Sequence, residues 1–190
     1  MLRWNAVLLL LFFNVAGLHA GEPLFVPHGA DAMGMAFAVT ATPGHWNCFH
    51  NQALLTAVPS SGLSFALENR FMMPALSSKA VSAVFAMKPA PLGLVATHYG
   101  NADYYRIFTG LGSAVKITEA VALGVQVDYI SEHGIGEYRD VSHVTFEAGF
   151  TCLLSPALTA GVHLFNPLAP LNSLPSSIDV GLNWKQSEGL

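Results

Sequence analysis

The stretch that decides the fold is Val121-Ala122-Leu123-Gly124-Val125-Gln126-Val127-Asp128-Tyr129. Large apolar side chains take every odd position, and small or polar ones take every even position. A period of two places Val121, Leu123, Val125, Val127 and Tyr129 on one face of an extended strand. Ala122, Gly124, Gln126 and Asp128 fall on the other. The pattern returns twice downstream. Val144, Phe146, Ala148, Phe150, Cys152 and Leu154 alternate with Thr145, Glu147, Gly149 and Thr151, and Ile178, Val180, Leu182 and Trp184 alternate with Asp179, Gly181, Asn183 and Lys185. Apolar alternation predicts further strands at 63–71, 79–87, 92–99, 105–116 and 158–165, and another near 33–40.

The intervals between these strands alternate in length. Short turns are expected at 88–91, 117–119 and 155–157, and longer polar or Pro-rich connections at 72–78, 100–104, 132–142 and 166–176. An up-and-down meander produces this rhythm, and outer-membrane barrels keep their short turns on the periplasmic side. The charge-free interval between Glu147 and Asp179 invites a helix, but Pro156, Pro167, Pro170 and Pro175 break every window of helical length. A hairpin folded at Ser155-Pro156 fits better.

Composition explains what such a sheet faces. Of 190 residues, 52% are hydrophobic and 11% charged, less than half the roughly 25% charged share of soluble domains. Disorder needs the opposite balance. A net charge of -4 also lacks the basic excess of a nucleic-acid binder. A chain this apolar belongs in a bilayer, yet its longest uninterrupted aliphatic and aromatic run is 6–13, far below the 18 or so residues of a membrane helix. Strands with one lipid-facing side resolve the conflict. The expected fold is all-β: a transmembrane antiparallel up-and-down barrel of about eight or nine strands. A soluble lipocalin-like barrel or sandwich is the competing architecture, since alternation alone does not say whether lipid or a protein core meets the apolar face.

The N-terminus reads as a signal peptide, residues 1–20. A short basic start at 1–3, an apolar segment at 6–13 and a small-residue site at Leu18-His19-Ala20 predict cleavage before Gly21 and export.

Residues with chemical potential are few. Cys48 and Cys152 invite a disulfide in an exported protein, but parity puts Cys152 with the lipid-facing residues while Cys48 sits in an irregular N-terminal segment. Free thiols are the expectation. His45, Cys48 and His50 have metal-ligand chemistry but no fourth partner and no zinc-site spacing. Asp128, Glu132, His133, Glu137, Arg139 and Asp140 form the most charged stretch, as a solvated outer loop would. No nucleophile elbow or triad is visible. The expectation is therefore no catalytic residue, no metal and no cofactor. The inward-facing polar residues Gln126, Asp128, Glu147, His163, Asp179 and Lys185 are of more interest, because charge on that face must be hydrated or paired.

Gly29-Ala30, Gly34-Met35 and Ala38, then Trp46, Asn51, Ala53 and Leu55, resemble the N-terminal region of the PorV/PorQ-like outer-membrane proteins of Bacteroidetes, distant relatives of the FadL transporters. Glu68-Asn69-Arg70-Phe71, Gly124-Val125-Gln126 with Asp128-Tyr129, Thr145-Phe146-Glu147-Ala148-Gly149 and Phe165-Asn166-Pro167 continue the similarity in order. The resemblance implies residues 21–62 as an N-terminal strand and plug segment entering the lumen, with residues 63–190 as barrel strands. It departs at Asp31, Ala36, Gln52 and Leu54, which stand where the family carries a basic residue, Gly, Pro and Gly. Barrels of that family carry additional strands, so the resemblance also implies a truncated or fragmentary member, the favoured reading, or one that closes as a smaller barrel. The implied function is non-enzymatic. It lies in type IX secretion or surface attachment, with outer-membrane lipid, secretion components and exported cargo as partners. A FadL-like channel for hydrophobic molecules and a soluble exported ligand-binding β-protein are the alternatives.

Overall fold

The computed structural model describes residues 29–134, 140–167 and 174–185. The expected signal peptide, the loop residues Glu137 and Arg139, and the tail 186–190 lie outside them.

Eight strands follow one another in sequence and in space: β1 (Gly62–Asn69), β2 (Ser77–Phe85), β3 (Leu92–Gly100), β4 (Tyr105–Lys116), β5 (Val121–His133), β6 (Val141–Ser155), β7 (Leu158–Phe165) and β8 (Ser177–Trp184). Each pairs antiparallel with its neighbour in a single sheet ordered β1 to β8, which curves into a half-barrel. Among the described residues β1 and β8 have no partner on their outer edges.

The alternation read from the sequence is the alternation of the sheet. In β5, Val125 and Val127 are 62% and 60% exposed, while Gln126 and Asp128 between them are 1% and 0% exposed. The same parity holds in β6, where Thr145, Glu147 and Thr151 are buried while Val144 and Phe150 are exposed. Outward positions of β1 and β8 are likewise large and apolar: Phe65 and Leu67 on one, Ile178, Val180 and Leu182 on the other.

Two of the longest strands outrun their expected ends. β5 and β6 remain paired as far as Glu132 opposite Val141, inside the stretch expected as loop. Arg106 of β4 explains part of this, because its guanidinium reaches Glu132 Oε2 at 2.9 Å while the Tyr104 hydroxyl donates to Glu132 Oε1 at 2.9 Å. The rhythm of connections also breaks around β3 and β4, where the expected long connection, 101–104, is no longer than the short one at 117–120. Between β2 and β3 the chain takes 86–91, longer than the 101–104 turn between β3 and β4. Pro89 and Pro91 have no N–H to give a ladder, so the strands stop short of them. Asn101 tightens the other turn by accepting from the Asp103 and Tyr104 amides at 3.1 and 3.0 Å.

The strand expected near 33–40 is absent. Ala30–Gly34 forms a short helix, α1, followed by turns in which Ala36 and Phe37 take positive φ. Its amides bond to local carbonyls, with Met33 N–H donating to Gly29 and Phe37 N–H to Ala32. Without a neighbouring strand, an Ala-rich stretch satisfies its backbone by coiling.

The rest of the N-terminal segment lies on the inner face of the sheet. Asn47–Phe49 and Gln52–Ala57 form 3-10 turns, and the second packs on β4, β5 and β6. An apolar cluster forms around them, with Leu55, Val58, Val84, Val95 and Ala114 toward the short-turn end and Phe108, Ile130, Phe165 and Leu174 toward the other. Phe49 joins this cluster between Trp46 and Phe108, with ring centroids 5.9 and 5.7 Å apart.

Candidate functional site

Four of the inward-facing polar residues meet in a belt across the middle of the inner face. Strand register sets the rows: Gly112, Gln126 and Glu147 stand opposite one another across β4, β5 and β6, while Gly149, His163 and Asp179 do so across β6, β7 and β8. Gln126 Nε2 donates to Asp128 Oδ1 at 2.8 Å. His163 Nε2 lies 2.9 Å from Glu147 Oε2, and Nδ1 lies 3.2 Å from Asp179 Oδ2. Glu147, His163, Gln126 and Asp128 are buried, whereas Asp179, on the outermost strand, is exposed. Lys185 follows β8 and is exposed, apart from the belt.

The N-terminal segment completes the belt. Gln126 Nε2 also donates to the Cys48 carbonyl at 2.9 Å. Gln52 Nε2 donates to that same carbonyl at 3.2 Å and to Glu147 Oε2. Gln52 is the side chain that ties the segment to a buried carboxylate. Asn51 does the complementary work on backbone: its Nδ2 donates to the Thr40 and Phe150 carbonyls at 2.7 and 3.1 Å, and its Oδ1 accepts from Ala53 N–H at 3.1 Å.

Missing side chains make this approach feasible. A Cβ on Gly124 would come within 2.8 Å of Gln52 Cβ, and one on Gly149 within 2.8 Å of Ala53 N. Real Cβ atoms do not tolerate such contacts, so the two glycines are the seat of the segment. The sequence shows these glycines as small residues on an inner face. It does not show which backbone they receive.

The other residues singled out from the sequence divide. Ala53 and Leu55 are buried against the sheet, and Trp46 lies beside Gly29, where a Cβ would stand 2.9 Å from Trp46 Cδ1. Ala30 and Gly34 are exposed, and nothing lies within 4 Å of a Cβ on Gly34. Asn166 has a role the sequence did not disclose. With φ of 47°, it accepts from Thr145 Oγ1 at 2.7 Å and donates to the Leu174 carbonyl at 2.9 Å, tying the residue after β7 to Leu174 ahead of β8.

Cys48 and Cys152 are both free. Cys48 is buried over Gly93. His45 turns instead to the Ser60 carbonyl at 3.3 Å. The charged stretch from Asp128 to Asp140 does not gather: Asp128 belongs to the belt, Glu132 to Arg106, and His133 Nδ1 pairs with Asp140 at 2.7 Å. Among the described residues no group of three or more His, Cys, Asp or Glu is arranged to hold a metal ion. Chemically, the belt is a set of polar links between a segment and a sheet. Comparison with family models, with curated proteins and with solved structures finds no match.

Proposed function

We propose that the chain is an outer-membrane β-barrel protein that crosses the bilayer with its strands, catalyses no reaction, and acts in export or surface attachment of other proteins, as its PorV/PorQ-like motifs imply. The observation that carries the membrane reading is the outer face of the sheet. Exposed Leu63, Phe65, Leu94, Leu111, Val125 and Val180 belong to a band of large apolar side chains spread from β1 to β8. Soluble proteins rarely expose contiguous apolar patches above a few hundred Å², whereas a lipid-facing barrel wall requires one. Among the described residues no helix is long and apolar enough to cross a membrane.

The inner face supports a partner-binding role over uptake of hydrophobic molecules. A channel for apolar solutes needs a continuous apolar path, and here the segment around Asn51 and Gln52 occupies the middle of that face on a belt of buried polar groups. The longer connections after β1, β5 and β7 then offer the surface that meets exported cargo or secretion components.

Two experiments test the two halves of this reading. In fractionated cells the chain is expected to stay in the outer-membrane pellet through alkaline carbonate, and its appearance in the supernatant overturns the membrane assignment. Deleting the gene is expected to diminish the proteins delivered to the surface and medium. Unchanged delivery removes the export role while leaving the barrel intact.

A further inference from the structure

We propose that the outer face of the sheet carries a site for one phosphate-bearing lipid, with an acyl chain lying in a groove across β2 to β5 and the phosphate held by Lys79, His98 and His133 at the groove's end. The inference rests on the membrane reading. It concerns strands that are paired on both sides, so it is independent of how the sheet closes.

The groove comes from a local lack of side chain. Register places Val81, Ala96, Thr109 and Tyr129 opposite one another on the outward face of β2, β3, β4 and β5, with Ala83 and Leu94 in the adjoining row. Ala83, Ala96 and Thr109 are short, while Leu94, Leu111, Val127 and Tyr129 around them stand exposed. The result is an apolar depression of about 640 Å³, deep enough that the inward-facing positions Val95 and Gly110 contribute to its lining. That volume lies within the roughly 300–1,000 Å³ of sites that hold small molecules. A chain lying in such a groove gains dispersion contacts along its length that a smooth wall does not give.

One end of the groove is polar, and its charge has one sign. Along all eight strands the outward positions carry no Asp or Glu, and their only basic side chains are Lys79, His98 and His133. These three gather at the end that carries the β1–β2, β3–β4 and β5–β6 connections. Lys79 and His98 stand opposite each other in register. Each is two residues along its strand, roughly 7 Å, beyond Val81 or Ala96 of the groove. His98 stacks on Tyr105 with ring centroids 5.7 Å apart, and Tyr105 on His133 at 4.9 Å. Lys79 is exposed and in no ion pair among the described residues. Asp140 takes His133 Nδ1 at 2.7 Å, so Nε2 is the ring nitrogen left to a ligand. The Tyr129 hydroxyl, 3.2 Å from Ser142 Oγ, adds a polar group at the groove's end.

A cation on a lipid-facing strand is tolerated where it reaches the interface, so the row of Lys79 and His98 marks the level of headgroups and the groove below it lies in hydrocarbon. An acyl chain under a phosphate fits both parts. An apolar solute makes no use of the cation, and an added peptide strand needs a free sheet edge, which β2 to β5 lack.

The test uses the full chain, purified from membranes in mild detergent, washed free of lipid and titrated with dioleoyl phosphatidylglycerol or dioleoyl phosphatidylcholine. Native mass spectrometry counts the lipids retained. One phosphatidylglycerol per chain is expected to stay bound, and phosphatidylcholine, whose phosphate is neutralised by choline, to bind about fivefold more weakly, as one basic residue at a membrane surface provides. Equal retention of the two lipids, or retention of neither, overturns the proposal. Lys79→Gln is expected to abolish the preference with strand content unchanged by circular dichroism, and a persistent preference overturns the phosphate assignment. Ala96→Phe fills the groove and is expected to release both lipids. Unaltered retention there means an unselective lipid coat and overturns the groove. Lys79 is exposed, so its variant decides the matter even if Ala96→Phe does not fold. Carbonate extraction of the source membranes separates the two failures: protein that stays in the pellet without lipid preference defeats the site alone, and protein that is extracted defeats the membrane reading with it.

Discussion

Asn51 holds three backbone groups at once, two carbonyls and an amide. Asn51→Ala leaves the Thr40 and Phe150 carbonyls without this donor, at an expected cost of about 2 kcal/mol, since a buried group deprived of its partner loses about 1–3 kcal/mol. Asn51→Asp retains the acceptor for Ala53 but sets a carboxylate against the two carbonyls, and is expected to destabilise at least as much. Urea titration followed by limited proteolysis of the N-terminal segment checks both, and an Asp variant as stable as the parent contradicts the assignment. Cys48 reports on the same seat. Burial pushes its thiol well above the ordinary range, and the nearby Glu147 and Asp128 carboxylates push it further the same way. The reactive species is the thiolate, so iodoacetamide at mildly alkaline pH is expected to leave Cys48 unlabelled until the protein is denatured. Mass spectrometry reads the result, and Asn51→Ala is expected to hasten labelling in the folded state.

At the scale of elements, the outer face makes the sharpest prediction. Val125 and Val127 stand outward beside buried Gln126 and Asp128. Val125→Arg is expected to cost about 2–4 kcal/mol if that face meets the bilayer midplane, but only within about 0.5 kcal/mol if it meets water. The yield of carbonate-resistant protein distinguishes the two. The same alternation explains how much was legible in advance. Strand identity and facing depend on residues one or two positions apart, so Val121–Tyr129 announced β5 and its inner side correctly. The 33–40 segment failed because Met33, Met35 and Phe37 also alternate, while the decisive fact is the lack of a neighbouring strand to receive their amides. The ends of β5 and β6 were misjudged because Glu132 reads as loop until Arg106 and Tyr104 are placed beside it. The belt was half legible. Parity named Gln126, Asp128, Glu147 and His163, but Gln52 reaches Glu147 from 95 residues away in sequence, and nothing local signals such a contact.

For the whole molecule, the sequential order of strands leaves nearly all sheet pairing between chain neighbours, and the inner segment is the exception. Asn51 meets Phe150 across 99 residues. Closing so long a loop has an entropic penalty that grows with its length, if slowly, and its reward exists only after β4, β5 and β6 have assembled the surface that receives it. Hairpins can form on their own schedule, since their partners are adjacent. The expected sequence of events in refolding into detergent is protection of the strands first and protection of residues 46–55 last, as read by pulsed hydrogen exchange. Early protection of that stretch contradicts this order. The part of the chain that leaves the ribosome before any strand is thus the last to find its place, and until then the carboxylates it covers stand open to water.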